Sequence, residues 1–165
     1  MMSDSLDKSA VFLKELRAEL LKRGWDACIV PSCDAHNSEY VALHENRLKA
    51  VTGDRYTGDA GTALIDQYHA RIFVDSRFWL QAPAELNGTE WIVECEGKEG
   101  AKTKEQYITD YAKEKKERCP YAPFVVGIDA TLHSSVEYQT LVALKSSDVS
   151  VEVSLQPTSN IVDCV

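Results

Sequence analysis

LRAELLKRGWDACIVPSCDAHNSEY, residues 16–40, holds three kinds of local structure in one short run. Working backward from it, Leu6, Ala10, Leu13, Leu16 and Leu20 recur at helical spacing, so residues 6–23 read as an amphipathic helix. Lys22 and Arg23 complement the negative end of its dipole, and Gly24 is the natural stop. Ala27 to Pro31 is a short apolar run and reads as a buried strand. From Ser32 to Tyr40 the chain turns polar and reads as a loop, followed by a short helix. A helix that feeds directly into a buried strand predicts an α/β fold.

Downstream the alternation continues. Gly53 to Gly61 is a glycine-rich tight loop. Thr62–Ile65 and Arg71–Val74 flank the polar Asp66-Gln67-Tyr68-His69 and read as a hairpin. Residues 77–86 are helical in pattern with Pro83 as an interruption, and Trp91–Cys95 is a strand. Thr103 and Gln106 form a capping box that opens a helix to about Arg118, with Tyr107 and Tyr111 turned inward. Phe124–Ile128 is a strand, Ser134 and Glu137 open a second capped helix to about Lys145, and Val149–Val153 is the last strand. The expected fold is a single α/β domain with a mixed β-sheet flanked by helices, its core within about residues 6–155.

Composition limits the function. The chain has 165 residues, 44% of them hydrophobic and 27% charged, which suits one globular core. Its apolar runs are four residues long, as in Ala27–Val30, where a membrane span needs roughly 20. The formal charge of -8, from 18 basic and 26 acidic side chains, argues against nucleic acid and fits either solubility or a basic protein partner. Five cysteines with no C-x-x-C pair favour reduced thiols, and with no basic, apolar leader at the start the expectation is a cytoplasmic protein.

No complete catalytic motif is present. Gly53 and Gly58 have phosphate-loop spacing, but Asp59 stands where the lysine must be and would repel a phosphate. His44-Glu45 lacks the second histidine of a zinc helix. Asp34, His36 and Glu39 have the chemistry for a divalent ion, with a polar loop that caps its own backbone as the simpler reading. His69 and His133 each stand alone in polar surroundings and read as surface residues. Cys28 reads as a small core side chain, and Trp25, Trp79 and Trp91 as packing anchors. The loops worth attention are 32–40 and 53–61, at strand ends where α/β sheets bind ligands.

Four stretches together resemble one family. Pro31-Ser-Cys-Asp-Ala-His-Asn-Ser-Glu-Tyr40 is similar to the PSxDAHxSEY signature of Xaa-Pro aminopeptidases, Asn46–Gly53 to NRLxxLTG, Thr57–Ala63 to TGSAGTA and Asp75–Ala82 to DGRYFLQA. The resemblance runs from about Leu13 to Asp163. Departures are a loop two residues longer at Gly53–Tyr56, Asp59 for a serine, and Ser76 for a glycine.

The resemblance implies a creatinase/prolidase-type N-terminal domain that carries no metal itself. It implies that residues 156–165 begin a linker to a further domain, and that a separate C-terminal pita-bread domain, absent from these 165 residues, holds two divalent metals, often manganese. That catalytic domain would be the partner of this one, in a homodimeric enzyme that removes the residue ahead of a penultimate proline. The chain alone would be inactive; it would shape the cleft and support oligomer contacts. Arg55, Tyr56 and Asp59 are the expected substrate-side residues, with Arg47 and His36 behind them. The alternatives are a peptidase-like module without catalysis, of the histone-chaperone type, which the charge would suit, and a creatinase-like domain serving a small molecule.

Overall fold

The structure is a computed structural model that describes residues 2–42, 44–145, 149–155 and 160–165, the side chains of residues 2–7 excepted. Helix α1, Met2–Arg23, ends as the sequence requires. Gly24 adopts φ +68°. Its N–H donates to the Leu21 carbonyl at 3.1 Å, and Trp25 N–H donates to that of Leu20 at 2.9 Å, which is the Schellman pattern. Leu13, Leu16 and Leu20 are fully buried. The chain then enters β1, Ala27–Pro31, in which every residue is buried. A strand buried on both faces must lie inside a sheet, and β1 does.

The other strands are β2 (Thr62–Asp66), β3 (Ala70–Val74), β4 (Trp91–Cys95), β5 (Phe124–Ile128) and β6 (Val151–Leu155). They form one sheet in the order β4-β3-β2-β1-β5-β6. Only β2 runs against the rest: β1 and β3 pair with it antiparallel, while β3–β4, β1–β5 and β5–β6 are parallel. The mixed sheet flanked by helices is thus what the alternation predicts.

Side chains of alternating residues serve two cores. Cys28, Val30, Ile65 and Ile72 pack with α1 and with α2 (Arg47–Val51), on the face that also carries α3 (Gln81–Glu85). Ala27, Ile29, Leu64 and Phe73 pack under α4 (Lys104–Arg118) and α5 (Ser135–Val142). Both expected capping boxes are formed, at Thr103/Gln106 and Ser134/Glu137.

The differences from expectation have local reasons. Pro83 does not interrupt a helix: it sits in the first turn of α3, where its missing N–H has no partner to lose. Helix α5 stops at Val142 rather than Lys145. Strand β6 is displaced two residues from the expected 149–153, although Val149 and Val151 are both buried as expected. The core also reaches past residue 155, because Ile161 and Val162, in a short 3-10 turn, are buried against the α1 face. Residues 156–159 of the expected linker lie outside the described residues.

One close approach sets the joint between β1 and β5. A Cβ placed on Gly127 would come within 2.0–2.4 Å of the Trp25 ring. Gly127→Ala is therefore expected to destabilise the domain by about 1–3 kcal/mol, as overpacking does. Urea unfolding followed by tryptophan emission checks this, and an unchanged midpoint would refute it.

Candidate functional site

The parallel run of β1, β3, β4 and β5 brings their carboxyl ends to one edge of the sheet. Strands β1 and β5 pair only at Ala27↔Val126 and Cys28↔Gly127. The chain leaves β1 toward β2 on one side and reaches β5 on the other, so this is the switch point at which open α/β sheets form a crevice. A cleft of about 520 Å³ lies there, between the loop after β1 and the β5–α5 connection. Its walls carry Asp34, Asp75, Glu96 and Glu137 and, among the described residues, no lysine or arginine. Asp75 is paired with Arg77, Nη2–Oδ2 at 2.9 Å, and the other three carboxylates leave the walls acidic, which suits a cationic group.

Each wall is built by a carboxylate that caps its own loop. On one side Asp34 Oδ1 accepts from the N–H of His36 at 3.0 Å and of Ser38 at 2.9 Å. Hydrogen bonds from Ser38 foremost hold the Asp34 carboxyl below its ordinary range, against the opposing effect of burial. Asp34 is thereby committed to backbone. Among the described residues no group of three or more His, Cys, Asp or Glu side chains could hold a metal ion, so Asp34, His36 and Glu39 do not make the ion site that their types allowed. The donor set among the described residues does not fit a dinuclear centre.

On the other side stands Asp129, which belongs to none of the motifs. Its Oδ1 accepts from Thr131 N at 2.9 Å and from Thr131 Oγ1 at 2.6 Å. Its main-chain oxygen accepts from Leu132 N–H at 3.0 Å and faces His133 Nδ1 at 3.0 Å. His133, expected as a lone surface residue, is instead half-buried in the cleft wall. Cys33 crosses between the walls, its thiol donating to the Leu132 carbonyl at 3.1 Å. Burial, and next the charge of Glu137, pushes the Cys33 thiol up. Cys28 is pushed up to about 12 by complete burial and is no nucleophile.

None of the five expected substrate-side residues lines this cleft, although His36 is exposed between Ala35 and Asn37, which do. Arg47, at the start of α2, grips Asp163 at two points, Nε–Oδ1 at 3.0 Å and Nη2–Oδ2 at 2.9 Å, and that bond raises its pKa. Arg55 reaches the carbonyls of Glu85 at 3.2 Å and Asn87 at 3.4 Å, which fastens the 53–61 loop to the end of α3. Asp59 is exposed at the loop tip. Tyr56 is turned inward and fully buried, so in this structure it faces no substrate. Its hydroxyl donates to the Ala60 carbonyl at 2.6 Å, and its ring meets Phe78 edge-on at 6.0 Å.

The glycines of the loop follow from that arrangement. Gly53 at φ +61° and Asp54 at φ +62° reverse the chain after α2, and a Cβ on Gly58 would lie 2.2 Å from the Tyr56 oxygen. Thr57 N–H donates to Glu85 Oε2 at 2.9 Å, which closes the loop onto α3.

Comparison with known proteins gives relatives of one kind. No protein-family model matches the chain. It is 35% identical over 129 residues to a Pyricularia oryzae protein named probable Xaa-Pro aminopeptidase P, covering 78% of this chain and 19% of that protein. The solved X-prolyl aminopeptidase of Caenorhabditis elegans, described as a cytosolic enzyme with a di-nuclear active site, matches 94% of this chain and 25% of its own, with TM-score 0.76 and 25% identity. The creatinase/prolidase-like N-terminal domain of a Corynebacterium diphtheriae protein shares the fold, at TM-score 0.53 and 20% identity over 88% of this chain and 98% of that domain. The chain thus spans about a fifth to a quarter of the length of its full-length relatives.

Tyr56 provides a pH test of the loop. Burial first, then the charges of Asp75, Glu85 and Asp59, raise its pKa in the folded state. An unfolded tyrosine ionises near about 10. Below that pH both states hold the proton and the tyrosine has no pH effect. Above it the unfolded chain releases a proton that the folded chain keeps, so stability falls as pH rises, by up to about 1.4 kcal/mol per unit. Tyr56→Phe is expected to cost about 1–2 kcal/mol at neutral pH, through the unpaired Ala60 carbonyl, and to flatten the alkaline decline. Urea midpoints of both proteins from pH 7 to 11 check it; parallel curves would refute it.

Proposed function

The chain is a creatinase/prolidase-type N-terminal domain homologous to Xaa-Pro aminopeptidases, and from that premise we propose that it is the non-catalytic entrance domain of a longer enzyme of that kind. The enzyme removes the first residue of a peptide whose second is proline. The bond concerned is a tertiary amide without an N–H, so its recognition depends on shape rather than on a backbone donor. The metal pair, manganese in this proposal, belongs to another part of the protein and supplies the hydrolytic chemistry there. This domain limits the peptides that reach it and contributes to a homodimer in the cytoplasm.

What supports the reading most is the breadth of the likeness: 94% of the chain follows one solved X-prolyl aminopeptidase at TM-score 0.76. The geometry adds a division of labour among the expected residues. Exposed His36 and Asp59 are the ones free to meet a peptide, and the acid-walled cleft attracts its ammonium end. Arg55 and Tyr56 hold the 53–61 loop in place behind them, and Arg47 holds Asp163. Among the described residues no helix is long and apolar enough to cross a membrane.

Two assays test this. With Mn²⁺ and an X-Pro-X peptide the 165-residue chain is expected to release no amino acid, while the protein encoded by the whole gene releases the first residue. In that longer protein Asp59→Asn is expected to raise KM several-fold with kcat little changed, the signature of lost uniform binding. Turnover by the short chain, or none by the long one, would overturn the proposal.

A further inference from the structure

The wall of the cleft formed by residues 129–134 is held from a distance by residues 160–163. Asn160 Nδ2 donates to Asp129 Oδ2 at 2.9 Å, the carboxylate oxygen left over after Thr131 has taken the other. Asn160 Oδ1 accepts from Val162 N–H at 2.9 Å and so starts the 3-10 turn Ile161–Cys164. Ile161 and Val162 are buried against the α1 layer, and Asp163 is gripped by Arg47 of α2. The segment therefore bridges the helices on one face of the sheet to a cleft wall at its edge. Among the described residues the wall is also tied by the Cys33 thiol on the Leu132 carbonyl. Against burial, the hydrogen bonds from Thr131 and Asn160, and after them the charge of Arg47, hold the Asp129 carboxyl below its ordinary pKa.

We propose that residues 160–163 are a latch on the cleft: while Asn160 and Asp163 are seated, Asp129 is fixed and the wall stands close to Cys33; when they are released, the wall swings away. The coupling runs through a continuous set of hydrogen bonds, Arg47–Asp163 at one end and Asn160–Asp129–Thr131 at the other. By reciprocity, anything that fills the cleft and presses on the wall tightens residues 160–163 by the same factor. The latch operates whether or not the cleft serves a peptidase.

The test uses the 165-residue chain and two variants, Asn160→Ala and Arg47→Lys. Backbone amide exchange is followed at 131–134, at 161–164 and at β2, and the rate of Cys33 alkylation by iodoacetamide is followed by peptide mass spectrometry. Both variants are expected to speed exchange at Thr131 and Leu132, and alkylation of Cys33, several-fold, with β2 unchanged. Faster exchange at 161–164 with Thr131, Leu132 and Cys33 unaltered would overturn the latch, because the wall would then stand unaided. Should Asn160→Ala also speed β2, and so report global loss of structure, Arg47→Lys decides: it keeps the charge and loses the two-point grip.

Discussion

The joint between β1 and β5 is the constraint on which the molecule depends. Only two residue pairs connect these strands, and through them the four-stranded part of the sheet meets the two-stranded part. So short a ladder needs help, and the sequence supplies it just before β1. The Trp25 ring occupies the space over Gly127 that any side chain there would need. Asp26 N–H donates to the Val125 carbonyl at 2.8 Å, while Asp26 Oδ2 accepts from Val125 N–H at 2.7 Å and from Lys115 Nζ at 2.6 Å. The Asp26 contacts lie at the amino end of the joint, before its first residue pair. Beyond the two pairs, the segments that follow the strands are tied by the Cys33 thiol on the Leu132 carbonyl, and the cleft lies there. Fold and site are consequences of one asymmetry.

That asymmetry explains why the cleft walls are made of loops fastened by side chains. Where the strands have separated, backbone groups lose their ladder partners and must be satisfied otherwise. Asp34 does this shortly after β1 and Asp129 directly after β5. The 53–61 loop follows the same rule at longer range, with Glu85 taking Thr57 and Arg55 taking two carbonyls at the end of α3. Glu85 remains ionised more readily than usual for this reason: burial opposes its charge, and the Thr57 hydrogen bonds outweigh it.

What the sequence shows and what it hides divide along the same line. Leucine spacing in α1, the buried run of β1 and two capping boxes are local patterns, and each leads to the right element. The hairpin is legible too, since Asp66 caps the turn through the N–H groups of Tyr68 and His69, both at 2.6 Å. Arg47 and Asp163 are 116 positions apart, and no periodicity predicts that pair. Tyr56 is expected at the substrate only through the family resemblance of its loop; what turns it inward is the edge of Phe78 and the space over Gly58, both tertiary. Asp129 does carry a local signal. An aspartate directly after an apolar strand, two residues ahead of a threonine, is a recognisable loop cap at the end where α/β sheets place their sites.

The acidic balance of the chain also takes on a different meaning. A formal charge of -8 invites a basic partner when it is read as a total. Yet Asp26, Asp34, Asp66, Asp75, Glu85, Asp129 and Glu137 each accept a hydrogen bond from a backbone N–H, and most of them from a residue two to four positions away. A carboxylate serves better than a neutral acceptor in that role, because charge-assisted bonds are the stronger ones. Glu94 and Asp163 are committed to arginines. A large share of the negative charge is therefore explained by the loops it builds, and the excess of acid over base is weak support for a histone-like partner. Four acids, Asp34, Asp75, Glu96 and Glu137, line the cleft, and three of them already hold backbone N–H groups of the loops around it.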